Sequence, residues 1–212
     1  KYNYGYQHYL DPTYLNSAGK LENFYRQHEG YGSVALLYNP YPALQVSAAT
    51  DLTSATLDAN LYNFVYPRRI TLQSAIAAKF VSEKMTATAN VLYTQTDEKA
   101  KNGDAAENHR KVSPCIALAV RPFDDIDLHF RTFYKNIFRL PTFNDLYYSL
   151  VGKRDLKPED AQQVGFGLTY GISGAKALSL LSFTADAYRN TIKNKIVAVP
   201  VKNMFEWSMV NY

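Results

Sequence analysis

Side chains capable of reaction are scarce in this sequence and poorly arranged for catalysis. The four histidines, His8, His28, His109 and His129, stand apart, with no H-x-x-x-H pair and no C-x-x-C element. Metal sites gather ligands at such spacings, so each histidine reads as exposed or hydrogen-bonded, and no metal is expected. Cys115 is the single cysteine and has no partner for an internal disulfide. Neither a G-x-S-x-G nucleophile turn nor a glycine-rich phosphate loop occurs. Adjacent acids such as Asp124 and Asp125 fall in an expected short turn, where solvation explains them. The expectation is a protein with no catalytic residues and no cofactor, not an enzyme. What remains is binding chemistry: tyrosines, amides and charges displayed on a scaffold.

Composition narrows the scaffold. The chain of 212 residues carries 18 Tyr and 11 Phe, residue types that suit strands and surfaces half apolar and half wet. Its net charge of +4 is small and scattered, which argues against a nucleic-acid partner. No apolar run of about 18 residues exists, so no transmembrane helix is expected; a β-barrel crosses a membrane with a far weaker signal. The opening KYNYGYQHYLDP has no apolar leader segment, so the chain is expected to begin inside a longer protein.

The elements show a period of two. In residues 125–134, Ile126, Leu128, Phe130 and Tyr134 share one face, and Asp125, Asp127, His129 and Arg131 the other. The same alternation predicts strands over 69–80, 85–96, 111–121, 162–170 and 179–190. Pro114 marks an edge, bulge or strand end. About ten strands are expected in all, the first near 1–9 and the last near 206–212. At roughly a dozen residues these strands exceed the 5–6 usual in soluble sheets and suit the 9–11 of a transmembrane strand.

Connections alternate in length. Residues 39–42, 81–84, 122–124 and 173–177 read as short; 97–109, 137–160 and 191–205 read as long. By the same parity 51–68 becomes a long connection, with a small hairpin in its strand-like 57–65 piece. The expectation is all-β, an antiparallel up-and-down transmembrane barrel, here a partial barrel of about ten strands in one domain. Its lumen would be lined by Arg69, Lys79, Asn90, Lys111, Asp127, Arg131, Gln163 and Asp186.

Residues 133–168, FYKNIFRLPTFNDLYYSLVGKRDLKPEDAQQVGFGL, carry spaced elements in a set order. They are Arg139, Pro141, the Asp145-Leu146-Tyr147 step, Gly152, and Leu156-Lys157-Pro158-Glu159. This order resembles the barrel of TonB-dependent outer-membrane receptors. SPCIALAVRPFDDIDLHF, YRQHEGYGSVALLYNP and the ending FEWSMVNY are similar to other barrel segments, most closely in the Bacteroidetes cobalamin-receptor-like branch. Read physically, Pro141 and Pro158 fix the path of the loop, Asn144 and Asp145 can cap a local turn, and the motif shapes a loop against the barrel wall.

The resemblance implies a larger barrel than this chain can build, with the plug domain, the TonB-contacting segment and further strands outside residues 1–212. It implies the outer membrane of a Gram-negative bacterium, with outer-membrane lipid around the barrel and TonB acting through the plug. The nutrient would be a small molecule such as cobalamin or an iron–siderophore complex. Extracellular loops carry function on barrel scaffolds, so Phe143, Asn144, Tyr147, Tyr148 and Arg154 are the candidate ligand contacts. A passive outer-membrane channel and a soluble β-sheet binding module or adhesin are the alternatives. An isolated chain is expected to self-associate through bare sheet edges.

Overall fold

The computed structural model describes residues 1–13, 19–149, 151–175, 178–202 and 206–212. Its main feature is one antiparallel sheet of nine strands in chain order. These are β1 (Tyr2–Asp11), β2 (Leu21–Tyr41), β3 (Leu44–Ala59), β4 (Pro67–Val81), β5 (Met85–Ala100), β6 (Arg110–Val120), β7 (Asp127–Arg139), β8 (Glu159–Ala175) and β9 (Leu178–Lys193). A short helix, α1 (Phe143–Tyr147), interrupts the β7–β8 connection, and β10 (Ile196–Lys202) with β11 (Glu206–Asn211) forms a separate hairpin. The sheet runs up and down from β1 to β9, which remain its two ends, so the barrel is partial.

Register carries the alternation across the sheet. Leu36 lies opposite Ala48, Ala48 opposite Ile76, Ile76 opposite Val91, Ala89 opposite Ile116, and Phe166 opposite Ala187. On this outward face Val34, Leu36, Tyr38, Ile76, Ile116, Phe166 and Phe183 are 53–70% exposed. A continuous bare apolar belt suits lipid, not water. The inward face pairs its charges instead: Arg131 with Asp186 at 3.1 Å and Asp127 with His129 at 2.9 Å. Gly165 and Gly167 leave room on that face, since a Cβ at either would collide with the Phe133 ring or with the Asp186 carboxylate.

Strand length is the main departure from the sequence reading. β2 has 21 residues and β3 16, well beyond the 9–11 that cross a membrane. The surplus lies toward the long connections. Residues 51–68 are therefore not one connection: β3 continues to Ala59, Leu57 is buried within it, and no hairpin forms over 57–65. Tyr25 through Ser33 pair with Ala59 through Asp51, which holds both strands extended above the apolar belt. Likewise β5 continues to Ala100, and the expected 191–205 loop contains the end of β9 and all of β10. β11 matches the expected last strand but pairs with β10 outside the main sheet.

At the short-turn end, β2 runs to Tyr41, and Pro40 lies in the register shift between Tyr38 and Tyr41. Residues 176–177, within the expected 173–177 turn, and 203–205, closing the expected 191–205 loop, lie outside the described residues. Pro114 falls inside β6, where the ladder with β7 ends at the adjacent Cys115 opposite Lys135. Beyond that point side chains replace rungs. Lys111 of β6 pairs with Asp160 of β8, and Asn136 of β7 donates to the same carboxylate at 2.5 Å.

Candidate functional site

The long connection between β7 and β8, residues 140–158, folds inward and packs on the inner wall of β2–β5. Its turn of helix is locally encoded. Thr142 is the N-cap: its hydroxyl accepts from the Asp145 amide at 3.2 Å, and its own amide donates to the Asp145 carboxylate at 2.8 Å. This reciprocal box satisfies two helix-end donors that would otherwise lack partners. Phe143, Leu146, Tyr147 and Leu156 then enter one buried cluster with Tyr25, Ala55, Leu57 and Phe64. The loop brings its own core to a wall whose inner face is otherwise polar.

Polar contacts fix the loop in register. Arg69 of β4 pairs with the buried Glu98 of β5, donates to the Pro141 carbonyl at 2.8 Å, and stands 5.1 Å from the Phe143 ring centre. Arg139 bridges Asp145 at 3.5 Å and Glu159 at 2.8 Å, closing the loop at its base. The Tyr147 hydroxyl accepts from the Ala106 amide at 3.1 Å, and burial pushes its pKa up. Gly152 lies against the backbone of Tyr148, where an added Cβ would stand 2.7 Å from both Tyr148 N and O.

The β10–β11 hairpin holds the loop from the other side. The Met209 amide donates to the Val151 carbonyl at 2.9 Å. Asn211 exchanges two bonds with the Lys157 backbone, at 2.7 and 2.9 Å, and the Ile196 amide donates to Glu159 at 2.7 Å. Asn194, with φ of 55°, turns the chain into this hairpin and reaches the Pro158 carbonyl at 3.5 Å.

Every element of the sequence motif thus has a partner within the loop or its supports. Arg139, Asp145 and Glu159 form the ion-pair closure, Leu146 and Leu156 are buried, and Pro141, Lys157 and Pro158 offer backbone atoms to neighbours. Of the candidate ligand contacts, Phe143 and Tyr147 are buried in the loop core. Asn144 is exposed, as is Arg154, which donates to the Asp104 carbonyl at 3.2 Å. Tyr148 is half-buried and stacks on Tyr25 with centroids 4.0 Å apart and 11° between planes.

Beside this stack the inner wall opens into a recess of about 280 Å³. Asn3, Gln7, Tyr25, Gln27, Glu29 and Tyr148 line it. Tyr148 donates to Gln7, and Asn3 donates to Glu29 at 3.1 Å. Such a surface offers amides, one carboxylate and aromatic faces, suited to a polar organic ligand. Sequence reasoning missed the β1 and β2 members, because their alternation distinguishes two faces without showing which one a distant loop will cover. Among the described residues no group of His, Cys, Asp or Glu is placed to hold a metal.

Comparison with known proteins accords with this architecture. The family model described as TonB dependent receptor-like, beta-barrel matches residues 1–212. The chain is 25% identical over 173 residues to the vitamin B12 transporter BtuB of Vibrio vulnificus, covering 80% of this chain and 25% of that protein. It therefore spans about a quarter of that relative's length. Among solved structures, the copper transporter OprC superposes with a TM-score of 0.74 at 14% identity, over 99% of this chain and 38% of OprC. The FrpB iron transporter of Neisseria meningitidis gives 0.63 at 13%, over 90% of this chain and 31% of FrpB. With a wall, a belt and a loop motif of this kind and a match along its whole length, the chain belongs to the TonB-dependent receptors of the Gram-negative outer membrane.

Proposed function

We propose that this chain builds part of the wall and one ligand-facing loop of a receptor for energised uptake of a scarce nutrient, such as cobalamin or an iron–siderophore complex. The supporting observation is the 140–158 loop, folded onto the inner wall beside an open recess of about 280 Å³. The match of the receptor family along residues 1–212 favours this reading over a passive pore. A soluble module or adhesin would not leave Leu36 70% and Ile76 67% exposed. On this reading a plug outside residues 1–212 fills the lumen, TonB acts through that plug, and the family chemistry is binding and gating without catalysis. The cobalamin-receptor-like branch belongs to the same proposal, supported by the resemblance to BtuB.

Ligand contact falls to the parts of the loop left open, Asn144, Tyr148 and Arg154, with Gln7 and Gln27 across the recess. The test is uptake of labelled cobalamin and of ferric siderophores by cells carrying the full-length protein, with and without TonB. TonB-dependent accumulation of one ligand, reduced at least fivefold in Y148A/Q27A, is expected. Uptake indifferent to TonB would overturn the reading in favour of a channel.

A further inference from the structure

The main sheet is not joined evenly along its width. Between β6 and β7 the ladder pairs residues 115–120 with 130–135 and stops at Cys115 opposite Lys135. Every other pair of neighbouring strands in this sheet is joined over ten residues or more. Yet neither strand ends there. Residues 110–114 of β6 stay paired with β5, and residues 136–139 of β7 stay paired with β8. The wall therefore holds a seam about 15 Å long on the side of the long connections, at about 3.4 Å per residue. Pro114 begins it. The ladder to β5 passes through this residue, the ladder to β7 does not, and proline has no amide hydrogen to donate.

Side chains close the seam. Lys111 of β6 reaches past β7 to Asp160 of β8, and the side-chain amide of Asn136 donates to the same carboxylate. His109 meets Phe138 edge-on at the upper end. The Ser113 hydroxyl and the Asn136 side-chain carbonyl oxygen, both buried, have no hydrogen-bond partner among the described residues. Parting the strands would give these two atoms to water, which offsets part of the loss of the ion pair. The 140–158 loop lies across this seam. Its stem, β7 and β8, stands on one side. Its dock stands on the other, through the Arg69 bond to the Pro141 carbonyl and the buried cluster with Tyr25, Ala55 and Leu57. Leaving the dock and opening the seam are thus one movement. We propose that the seam is a hinge in the barrel wall, latched by Lys111 and Asp160, on which the stem of the 140–158 loop swings away from β6 about the Cys115–Lys135 rung. A continuous ladder would forbid that travel. The hinge belongs to the wall and does not depend on which nutrient is taken up.

The test measures distances between spin labels by double electron–electron resonance, on the full-length protein in nanodiscs with Cys115→Ser. R68C/Q162C places labels on β4 and β8, across the seam. R26C/R110C places them on β2 and β6, the same number of strands apart and all on one side of it. These four positions are exposed. Each pair is about 19 Å apart along the sheet. The seam pair should show two distances differing by about 5 Å, one strand spacing, and the control pair only one. K111Q should enlarge the longer population about fivefold, the upper effect of a partly exposed ion pair. K111R should leave it as in wild type. One narrow distance for the seam pair in both wild type and K111Q would overturn the proposal, as would equal broadening of both pairs. If K111Q fails to fold, the wild-type labels decide: two seam distances support the hinge and one overturns it. Neither nutrient nor TonB enters the measurement, so the hinge and the uptake reading fail separately.

Discussion

Gly152 and Phe143 show how individual residues hold the loop. No side chain fits at Gly152, because backbone and not a movable side chain occupies the space a Cβ would need. Gly152→Ala should therefore unseat residues 148–153 while leaving the strands intact. The measurement is amide exchange: faster exchange confined to the loop is expected, and unchanged exchange would refute the steric argument. Phe143 is 5% exposed and lies beside the Arg69 guanidinium. Phe143→Ala removes a buried ring and should cost about 3–5 kcal/mol of loop docking, read as susceptibility of residues 140–158 to protease. Thr142→Ala, which removes one half of the capping box, should cost only about 1 kcal/mol by the same assay. The order of the two variants matters more than either value, since it says whether the loop is held by its core or by its cap.

Among the elements, the membrane-level strands were legible and their upper halves were not. Lipid on one side and water on the other impose a period of two, which residues 69–80 and 162–170 display plainly. Above the belt that rule lapses. Leu57 and Tyr25 are buried by a loop more than eighty residues away, so nothing near them in sequence announces it. Of the β10–β11 hairpin only β11 was legible, as the last strand; β10 fell in an expected loop, and alternation does not name the partner of β11. The motif loop was partly legible: local capping by Asp145 is present, with Thr142 as its partner and Asn144 left exposed. The 101–109 connection adds a pH dependence that composition could not reveal. Burial lowers the pKa of His109, whose ring meets Phe138 edge-on at 6.5 Å. The neutral imidazole is thus favoured in the packed state, and its contribution is complete above the free value of 6.5. As pH falls below that value the unpacked loop takes up the proton first, so packing weakens toward the depressed value in the folded state. Protection of the 101–109 amides, with each exchange rate divided by its intrinsic rate at that pH, should fall between pH 7.5 and 5.5. An His109→Gln variant should show no such fall; if it does, another group is responsible.

At the scale of the whole molecule, the sheet's two free edges decide how the isolated chain behaves. β1 has ten residues, ladder-paired on one side by β2, and β9 has sixteen, ladder-paired on one side by β8. Each edge presents unpaired backbone donors and acceptors, and the face between them is apolar and bare. In a closed barrel neighbouring strands satisfy those groups, which is the only way a sheet tolerates hydrocarbon. Residues 1–212 on their own must find the missing partners elsewhere, and a second copy of the same edge is the nearest source. The isolated chain should therefore be oligomeric in detergent and aggregate without it. Light scattering in mild detergent should give a mass of at least two chains, growing when detergent is diluted below its micelle concentration. A stable monomer in plain buffer would mean that the outward belt is covered by protein, and the lumen and the uptake reading would fall with it.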